Sequence, residues 1–246
     1  LAYPTGGFLK FADHLEKVIR KNGGEFHYET EVSQLSVGKS PIIKFKQIDT
    51  PKIQTKEFDA VIVTIPSPLF IKITPQLSPS YVKRLQKLKG IGAINLVLRL
   101  KKPFFTDGTY WLSMCDLKSP ILAIVEHTNF MKKKNYNNEH LLYIGNYMEI
   151  SDNRFTMNEK ELLSLYEPWL KKINPHFKKD LINLKLFRAP FAQPIIPVNY
   201  SKYIPPFTTP LKNVYLANIQ QVYPWDRGTN YAVELGKKVS EIISRP

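Results

Sequence analysis

The chain has 246 residues, of which 43% are hydrophobic and 23% charged, as in a globular protein with one large domain or two small ones. It has no apolar run of about 18 residues, the length that a membrane-spanning helix needs. A single cysteine, Cys115, excludes an internal disulfide and a cysteine-based zinc site, and the five histidines lack metal-ligand spacing, so we expect no metal site.

The net charge of +14 is unusual. Such a surplus is common in proteins that bind nucleic acid or an anionic membrane surface. Here the lysines are spread along the chain, and the densest run, Lys132-Lys133-Lys134, lies in a polar loop without a zinc finger, helix-turn-helix or RNA-binding strand. Nucleic acid is therefore disfavoured as a partner. A solvated basic surface and peripheral membrane contact both stay open, and we expect a cytoplasmic or membrane-peripheral protein.

The first third of the chain alternates helical and extended patterns. Apolar residues recur at helical spacing over residues 8–19, and Asn22-Gly23-Gly24 ends that helix. Residues 26–32 and 42–48 alternate apolar and polar side chains, which predicts two half-buried strands. Residues 58–65 are rich in β-branched side chains and stop at Pro66, which predicts a strand buried on both faces.

The middle of the chain predicts an antiparallel sheet and two helices. Ser78-Pro79 is typical of a capped helix start, and Asn158 with Glu161 predicts a capping box for a helix that Pro168 kinks or splits. Gly90 and Gly92 indicate a turn before the first strand. The predicted strands are residues 94–100, 110–114, 121–126, 141–147 and 181–187.

The end of the chain is the most informative part. A proline-rich stretch over residues 189–210 looks too irregular for a regular element. Residues 213–217 then predict a short strand, residues 218–227 a loop, and residues 228–243 a helix. Hydrolase and nucleotide-binding motifs are absent from the sequence: it has no G-x-S-x-G, no Walker A loop, no H-E-x-x-H and no G-x-G-x-x-G.

Four segments together resemble one flavoenzyme superfamily, that of the amine oxidases, protoporphyrinogen oxidases and phytoene desaturases. The segments are Tyr3 to Gly7 before a helix, the strand ending Thr30-Glu31-Val32, the strand Asp59 to Pro66, and Tyr215 to Gly236. The last segment follows the family's closing motif of strand, tryptophan and helix without a gap. The resemblance covers nearly the whole chain. It implies the C-terminal part of an FAD-dependent oxidoreductase without the N-terminal dinucleotide-binding segment.

The resemblance also implies where FAD would bind. The backbone of Val32 would face the adenine ring, and the strand exit at Thr64 and Pro66 would pass close to the cofactor. A helix N-terminus carries a partial positive charge, which would stabilise reduced flavin at its N1–C2=O edge. The residues implied around that helix start are Trp225, Gly228, Thr229, Asn230 and Ala232. The alternative is a plain C-terminal helix that packs Ala232 and Val239 into the core.

Three positions depart from the family pattern. The acidic residue expected for the ribityl chain is replaced by the neutral residues 218–220. Asn95 stands where amine oxidases carry a lysine over the flavin, and Gly228 replaces one wall of their aromatic cage. The resemblance therefore implies dehydrogenation of an unknown small or lipid-like substrate rather than simple amine oxidation. The same three departures are also compatible with a family member that has lost its catalytic activity.

His127 is the other candidate catalytic residue, because it follows a predicted strand and an imidazole has a suitable pKa for a general base. The alternative is a structural histidine that satisfies a loop amide. The fold class that we expect is α+β, with a mixed-sheet substrate domain over residues 76–210. Residues 1–75 and 211–246 would form the discontinuous remainder of an FAD-binding α/β domain. The rival function is a non-catalytic basic binding module for an anionic surface.

Overall fold

The computed structural model describes residues 3–244 and mixes helices with sheets, as an α+β protein does. Within residues 3–244, no helix combines the length and the apolar character needed to cross a membrane. In chain order the helices and strands are α1 (Gly7–Lys21), β1 (Thr30–Val37), β2 (Pro41–Gln47), β3 (Gln54–Glu57), β4 (Val61–Val63), α2 (Ser67–Ile73), α3 (Pro79–Gln86), β5 (Gly90–Leu100), β6 (Trp111–Ser113), β7 (Ala123–Glu126), α4 (His127–Phe130), β8 (His140–Met148), α5 (Glu159–Ile173), β9 (Leu181–Pro194), β10 (Val214–Leu216) and α6 (Thr229–Ile243).

The chain folds into two compact units, residues 1–88 with 196–246 and residues 89–195. The domain limits expected from sequence, after residues 75 and 210, both fall inside the first unit. The reason is packing: α3 contacts α2, and Tyr200 belongs to the same hydrophobic core as Val214 of β10. Residues 196–210 therefore pack with the first unit although they contain only short turns of helix.

The first unit contains an antiparallel sheet in the order β1-β2-β3 and a parallel pair formed by β10 and β4. The strand expected over residues 26–32 begins only at Thr30, because Glu29 has a φ of 52° and interrupts the extended backbone. The strand then continues to Val37. β4 is also shorter than expected, and Ile62 is 42% exposed while Val63 is buried, so the prediction of burial on both faces was wrong.

The second unit is built on an antiparallel sheet in the order β6-β7-β8-β5-β9. One face packs against α5 and forms the larger hydrophobic core, with every second residue of β5 from Gly92 to Leu100 buried. We call the opposite face the outer face. Strand pairing places these residues on it: Trp111, Ser113, Ala123, Val125, Tyr143, Gly145, Tyr147, Ala93, Asn95, Val97, Lys185 and Phe187.

Two glycines expected in a turn lie within β5. A Cβ added to Gly90 would come within 2.0 Å of the Phe191 ring, and one added to Gly92 within 2.8 Å of the Phe155 ring. Glycine is needed there because aromatic rings cross the strand. β9 likewise extends to Pro194, beyond the expected end of the strand, because Ala189, Gln193 and Pro194 still pair with β5 on either side of an irregularity.

The helix starts follow the sequence with one exception. Asn158 and Glu161 form the predicted capping box of α5, and this helix continues through Pro168 to Ile173 without splitting. Ser78 occupies the N-cap position of α3, but its hydroxyl makes no capping hydrogen bond and lies 3.3 Å from the Ser80 hydroxyl. The α3 start therefore depends on Pro79 in its first turn rather than on a serine cap.

Candidate cofactor site

The carboxyl ends of the parallel strands and the start of α6 surround a cavity in the first unit. β4 and β10 pair up to Val63 and Leu216, and the Ala217 amide donates to the Val63 carbonyl at 2.9 Å. Ligands of α/β proteins commonly bind at this edge of a parallel sheet. The cavity has a volume of about 770 Å³. Its lining consists of Ile62, Thr64, Ala217, Asn218, Ile219, Val222, Arg227, Gly228, Thr229, Ala232, Leu235, Gly236 and Val239.

The lining is mainly apolar, and its polar groups are few. Such a composition and volume are typical of a site for a small organic molecule or cofactor. Thr64 and Thr229 supply hydroxyl groups, and Arg227 supplies the cationic side chain of the lining. The cavity can therefore hold a mainly apolar group and contact its few polar atoms.

The start of α6 presents uncapped backbone amides beside the cavity. Gly228 is the N-cap residue and has no side chain that could bond to the first turn. Its carbonyl oxygen accepts hydrogen bonds from the amides of Tyr231 and Ala232, both at 3.1 Å. The preceding amides, those of residues 229 and 230, belong to the positive end of a 15-residue helix. Negative charge placed at this edge of the cavity would be stabilised.

The structure brings four of the eight predicted cofactor residues together at the cavity. Thr64 comes from the end of β4, and Gly228, Thr229 and Ala232 come from the start of α6. These residues are far apart in sequence, and they meet because β10 pairs with β4 and leads into the loop before α6.

The other four predicted residues lie outside the lining. Val32 pairs with Phe45 in β1, an edge strand of its sheet among the described residues, and Pro66 is the N-cap of α2. Trp225 is 63% exposed, and its ring lies parallel to that of Tyr231, with centroids 6.3 Å apart. Asn230 lies in the first turn of α6, on the exposed side.

Asn218 and Gln220, where the resemblance led us to expect an acidic residue, form a hydrogen-bond network inside the protein. Asn218 donates from Nδ2 to the Ile65 carbonyl at 3.1 Å and accepts the Gln220 amide at 3.1 Å. Gln220 is fully buried; its Nε2 donates to the Leu88 carbonyl at 2.7 Å and its Oε1 accepts from Ser67. These side chains tie the end of β10 to the start of α2. Both polar atoms of the Gln220 side chain therefore form hydrogen bonds with protein groups.

Sequence reasoning missed part of this site. Asn218 and Gln221 form a capping box around a short turn, a signal visible in the spacing N-x-x-Q. Arg227 was missed as a lining residue, although it directly precedes Gly228 of the closing motif. Ile62 was missed because a run of β-branched residues does not reveal which face of a short strand stays uncovered.

The two candidate catalytic residues both lie in the second unit. Asn95 is on the outer face of β5, and its Oδ1 is buried without a hydrogen-bond partner. His127 is 7% exposed; its Nε2 lies 2.6 Å from the Tyr136 hydroxyl, and its ring meets Tyr143 edge-on at 5.6 Å. Burial lowers the pKa of His127, so its imidazole is neutral near pH 7.

Glu126 is a buried carboxylate that the sequence did not single out. It is fully inaccessible to solvent, and its carboxylate accepts hydrogen bonds from the amides of Phe104 at 2.9 Å and Phe105 at 2.7 Å. Asn129 donates to the same carboxylate at 3.2 Å. Burial raises the pKa of Glu126, while these donors oppose the rise. Across residues 3–244, no three His, Cys, Asp or Glu side chains gather into a group that could hold a metal ion.

Solved structures with a similar fold come from proteins about twice as long. An oxidoreductase from Methanosarcina mazei matches 98% of this chain with a TM-score of 0.67 and 20% identity, and 55% of its own length is covered. A candidate protoporphyrinogen oxidase from Exiguobacterium sp. 255-15 matches 96% with a TM-score of 0.70 and 15% identity, over 51% of its length. At such identities the likeness shows the fold alone, and the chain spans about half the length of either protein.

Sequence comparison identifies the family. No curated protein matches the chain significantly. The sequence model of the flavin containing amine oxidoreductases matches residues 1–243, which is almost the whole chain. That match includes both segments that line the cavity, around Thr64 and around Gly228. The chain belongs to the flavin containing amine oxidoreductase family.

Proposed function

We propose that this chain is the C-terminal part of an FAD-dependent oxidoreductase and that the cavity of the first unit holds the flavin. The observation that carries the proposal is the convergence of Thr64, Gly228, Thr229 and Ala232 on one apolar cavity beside an uncapped helix start. When bound, FAD accepts a hydride from the substrate. Everything else required of the site is binding, orientation and charge stabilisation by the protein.

Each lining group has a defined task in this proposal. The first turn of α6 stabilises negative charge at the pyrimidine edge of the ring system, since its amides form a fixed positive end. Arg227 adds a cation at the same rim. Gly228 allows the backbone to approach a ring closely because no side chain intervenes. The apolar side chains Leu235 and Val239 exclude water from the ring face.

The rest of the dinucleotide site would come from a preceding segment of the same protein. Parallel sheets are normally covered on both faces, yet the β4–β10 pair leaves Ile62 exposed. α1 has no buried residue, and α6 buries only Val239. An added dinucleotide-binding segment would extend the parallel sheet, cover these apolar faces and supply the glycine loop for the pyrophosphate. We call the chain joined to that segment the full-length parent.

The proposed reaction is dehydrogenation of a carbon or ring substrate rather than oxidation of a simple amine. Asn95 cannot supply the positive charge of a lysine, and Gly228 cannot supply an aromatic wall. The family includes amine oxidoreductases by name, so the distinction rests on these two positions of this chain. The electron acceptor would be oxygen, a quinone or another oxidant.

The test compares two leucine substitutions in α6 of the parent. Ala232 and its neighbour Val233 are both exposed in this chain, but only Ala232 lines the cavity. Both substitutions suit a helix. Ala232→Leu should lower FAD affinity at least tenfold in a fluorescence titration, about 1.4 kcal/mol. Val233→Leu should leave it unchanged. Equal affinities for the two variants would show that the cavity is not the flavin site.

A further inference from the structure

Three connections meet at one end of the sheet in the second unit. Leu100 at the end of β5 pairs with His140 and Leu181, the first residues of β8 and β9. β7 ends and β6 begins at the same end, because antiparallel neighbours run in opposite directions. The connections at this end, which we call the basic end, are residues 101–110, 127–139 and 174–180.

Hydrogen bonds hold these three connections side by side. The Lys101 amide donates to the Asp180 carbonyl at 2.8 Å, which joins the first connection to the third. Asn129 donates from Nδ2 to the Thr109 carbonyl at 2.9 Å, which joins the second connection to the first. The three connections therefore form one continuous surface.

Each connection at the basic end carries a run of lysines. The runs are Lys101-Lys102, Lys132-Lys133-Lys134 and Lys178-Lys179, and all seven side chains are exposed. In the described part of the chain, Lys178 pairs with Glu167 and the other six lysines form no ion pair. The same three connections contain three acidic residues. The basic end therefore presents an excess of unpaired positive charge.

The opposite end of the same sheet has no such excess. Its connections, residues 114–122 and 149–158, contain three acidic residues and two basic ones. α5 runs from that end towards the basic end, with two glutamates in its first turn and Lys171 and Lys172 in its last turn. Positive charge in the second unit is therefore concentrated at one end of the sheet.

Aromatic side chains lie among the lysine runs. Tyr110 and Phe130 are 40% and 55% exposed, and their ring centres are 5.1 Å apart. Phe130 comes two residues before Lys132, and Trp111, the first residue of β6, is 57% exposed. Tyrosine and tryptophan are typical of the interface between water and lipid, where the ring contacts acyl chains and the polar tip stays hydrated.

We propose that the basic end is a docking surface for a membrane that contains anionic lipids. Clusters of about four to eight basic residues are typical of surfaces that bind anionic headgroups. Lysine is a hydrated point charge on a flexible stem, which suits mobile headgroups. Arginine, which is favoured in nucleic-acid and protein interfaces, is absent from the sequence of the three connections.

The experiment measures co-sedimentation of the 246-residue chain with lipid vesicles. Vesicles of phosphatidylcholine alone are compared with vesicles of phosphatidylcholine and phosphatidylglycerol, which is anionic. At about 0.1 M salt we expect at least tenfold tighter binding to the anionic vesicles. At about 1 M salt this preference should disappear, because the Debye length falls from about 10 Å to about 3 Å.

Two triple variants locate the surface. The first reverses the central run and should bind anionic vesicles at least a hundredfold more weakly; it carries Lys132→Glu, Lys133→Glu and Lys134→Glu. The second makes the same change in net charge at exposed lysines of the first unit that form no ion pair with a described residue; it carries Lys39→Glu, Lys52→Glu and Lys212→Glu. Its affinity should fall no more than about threefold, since only the overall attraction changes.

A single substitution tests the aromatic part of the surface. Phe130→Ala should weaken binding to anionic vesicles about fivefold, because its ring no longer enters the interface. Leu117→Ala is the matched control, since Leu117 is a fully exposed apolar residue at the opposite end of the sheet. Its affinity should equal that of the unmodified chain.

Equal binding to neutral and anionic vesicles would overturn the proposal, and so would equal losses in the two triple variants. A labelled single-stranded oligonucleotide serves as the competing probe. Binding of the oligonucleotide without binding to anionic vesicles would assign the basic end to nucleic acid and overturn the membrane proposal. All these outcomes are independent of FAD, so a colourless parent would refute the flavin proposal alone.

Discussion

Gly228 begins α6 with a φ of −166°, an extended conformation that any residue adopts. A Cβ at this position would approach the Asn230 side-chain oxygen at 2.7 Å, and that flexible group can move aside. Gly228→Val should therefore leave the folding of the chain intact. In the parent it should lower FAD affinity at least tenfold, because the new side chain occupies the cavity rim. Titration of the purified apoprotein measures this, and a change within about threefold, roughly 0.65 kcal/mol, would contradict the flavin-edge role.

Asn95 leads to a prediction about substrates. The chain has no lysine at position 95 and no aromatic residue at position 228. We therefore expect that benzylamine does not reduce the flavin of the parent. The measurement is the visible flavin absorbance under anaerobic conditions after addition of benzylamine or a polyamine. Dithionite, which reduces flavin directly, is the positive control. Rapid bleaching by either amine would show that this chain supports simple amine oxidation after all.

Single residues were predictable from sequence where a motif fixes them. Thr64 and Gly228 were predicted because the strand before Pro66 and the closing helix each resemble a family segment, and both residues line the cavity. Arg227 was missed, because a lone arginine in a loop carries no signal until the loop folds over the cavity. The orphan Oδ1 of Asn95 is also invisible in a sequence, since burial and partners depend on neighbouring strands.

Glu126 determines how the segment before β6 packs. It accepts two buried amides, those of Phe104 and Phe105, in the larger core. Glu126→Ala should destabilise the chain by roughly 2–4 kcal/mol, because it leaves both donors without a partner. Glu126→Gln keeps one acceptor oxygen and should cost about half as much. Urea denaturation of the three proteins measures the difference, and a loss below about 1 kcal/mol for Glu126→Ala would contradict this role.

Secondary-structure elements were predictable in kind and less so in extent. Periodicity located α1, α5 and α6, and the capping box at Asn158 gave the start of α5 correctly. The error at β1 arose from a left-handed Glu29, for which the side-chain pattern gives no warning. The turn predicted at Gly90 and Gly92 was wrong because rings from distant segments demand glycine inside the strand. Such tertiary demands override local preference.

The first unit exposes an unusually large amount of apolar side-chain surface for a domain that folds alone. Five apolar side chains of α1 are 41–74% exposed: Phe8, Leu9, Leu15, Val18 and Ile19. Contiguous apolar surface of this kind marks an interaction face. We expect the 246-residue chain to bind FAD at least a hundredfold more weakly than the parent, about 2.7 kcal/mol. Equal affinities of the chain and the parent in parallel titrations would show that no preceding segment contributes.

The sequence led us to expect an interrupted first domain, residues 1–75 with 211–246, and an inserted second one, whereas the two compact units are divided after residues 88 and 195. The strand near residue 60 and the strand near residue 215 were expected in one domain, and the structure shows that they form a parallel pair. The limits of the units were not predictable, because Tyr200 and the turn around it carry no periodic signal. Tyr200 joins the first unit through its hydroxyl, which donates to the Gln220 carbonyl at 2.6 Å.

The most direct test of the account is the flavin content of the purified full-length parent. If the cavity at the ends of β4 and β10 holds the flavin, the parent will be yellow or will become so on titration with FAD. Denaturation should then release about one FAD per chain, with no covalent remainder. A colourless parent that takes up no FAD would contradict the central claim. Salt-sensitive binding of that colourless protein to anionic vesicles would favour the basic binding module instead.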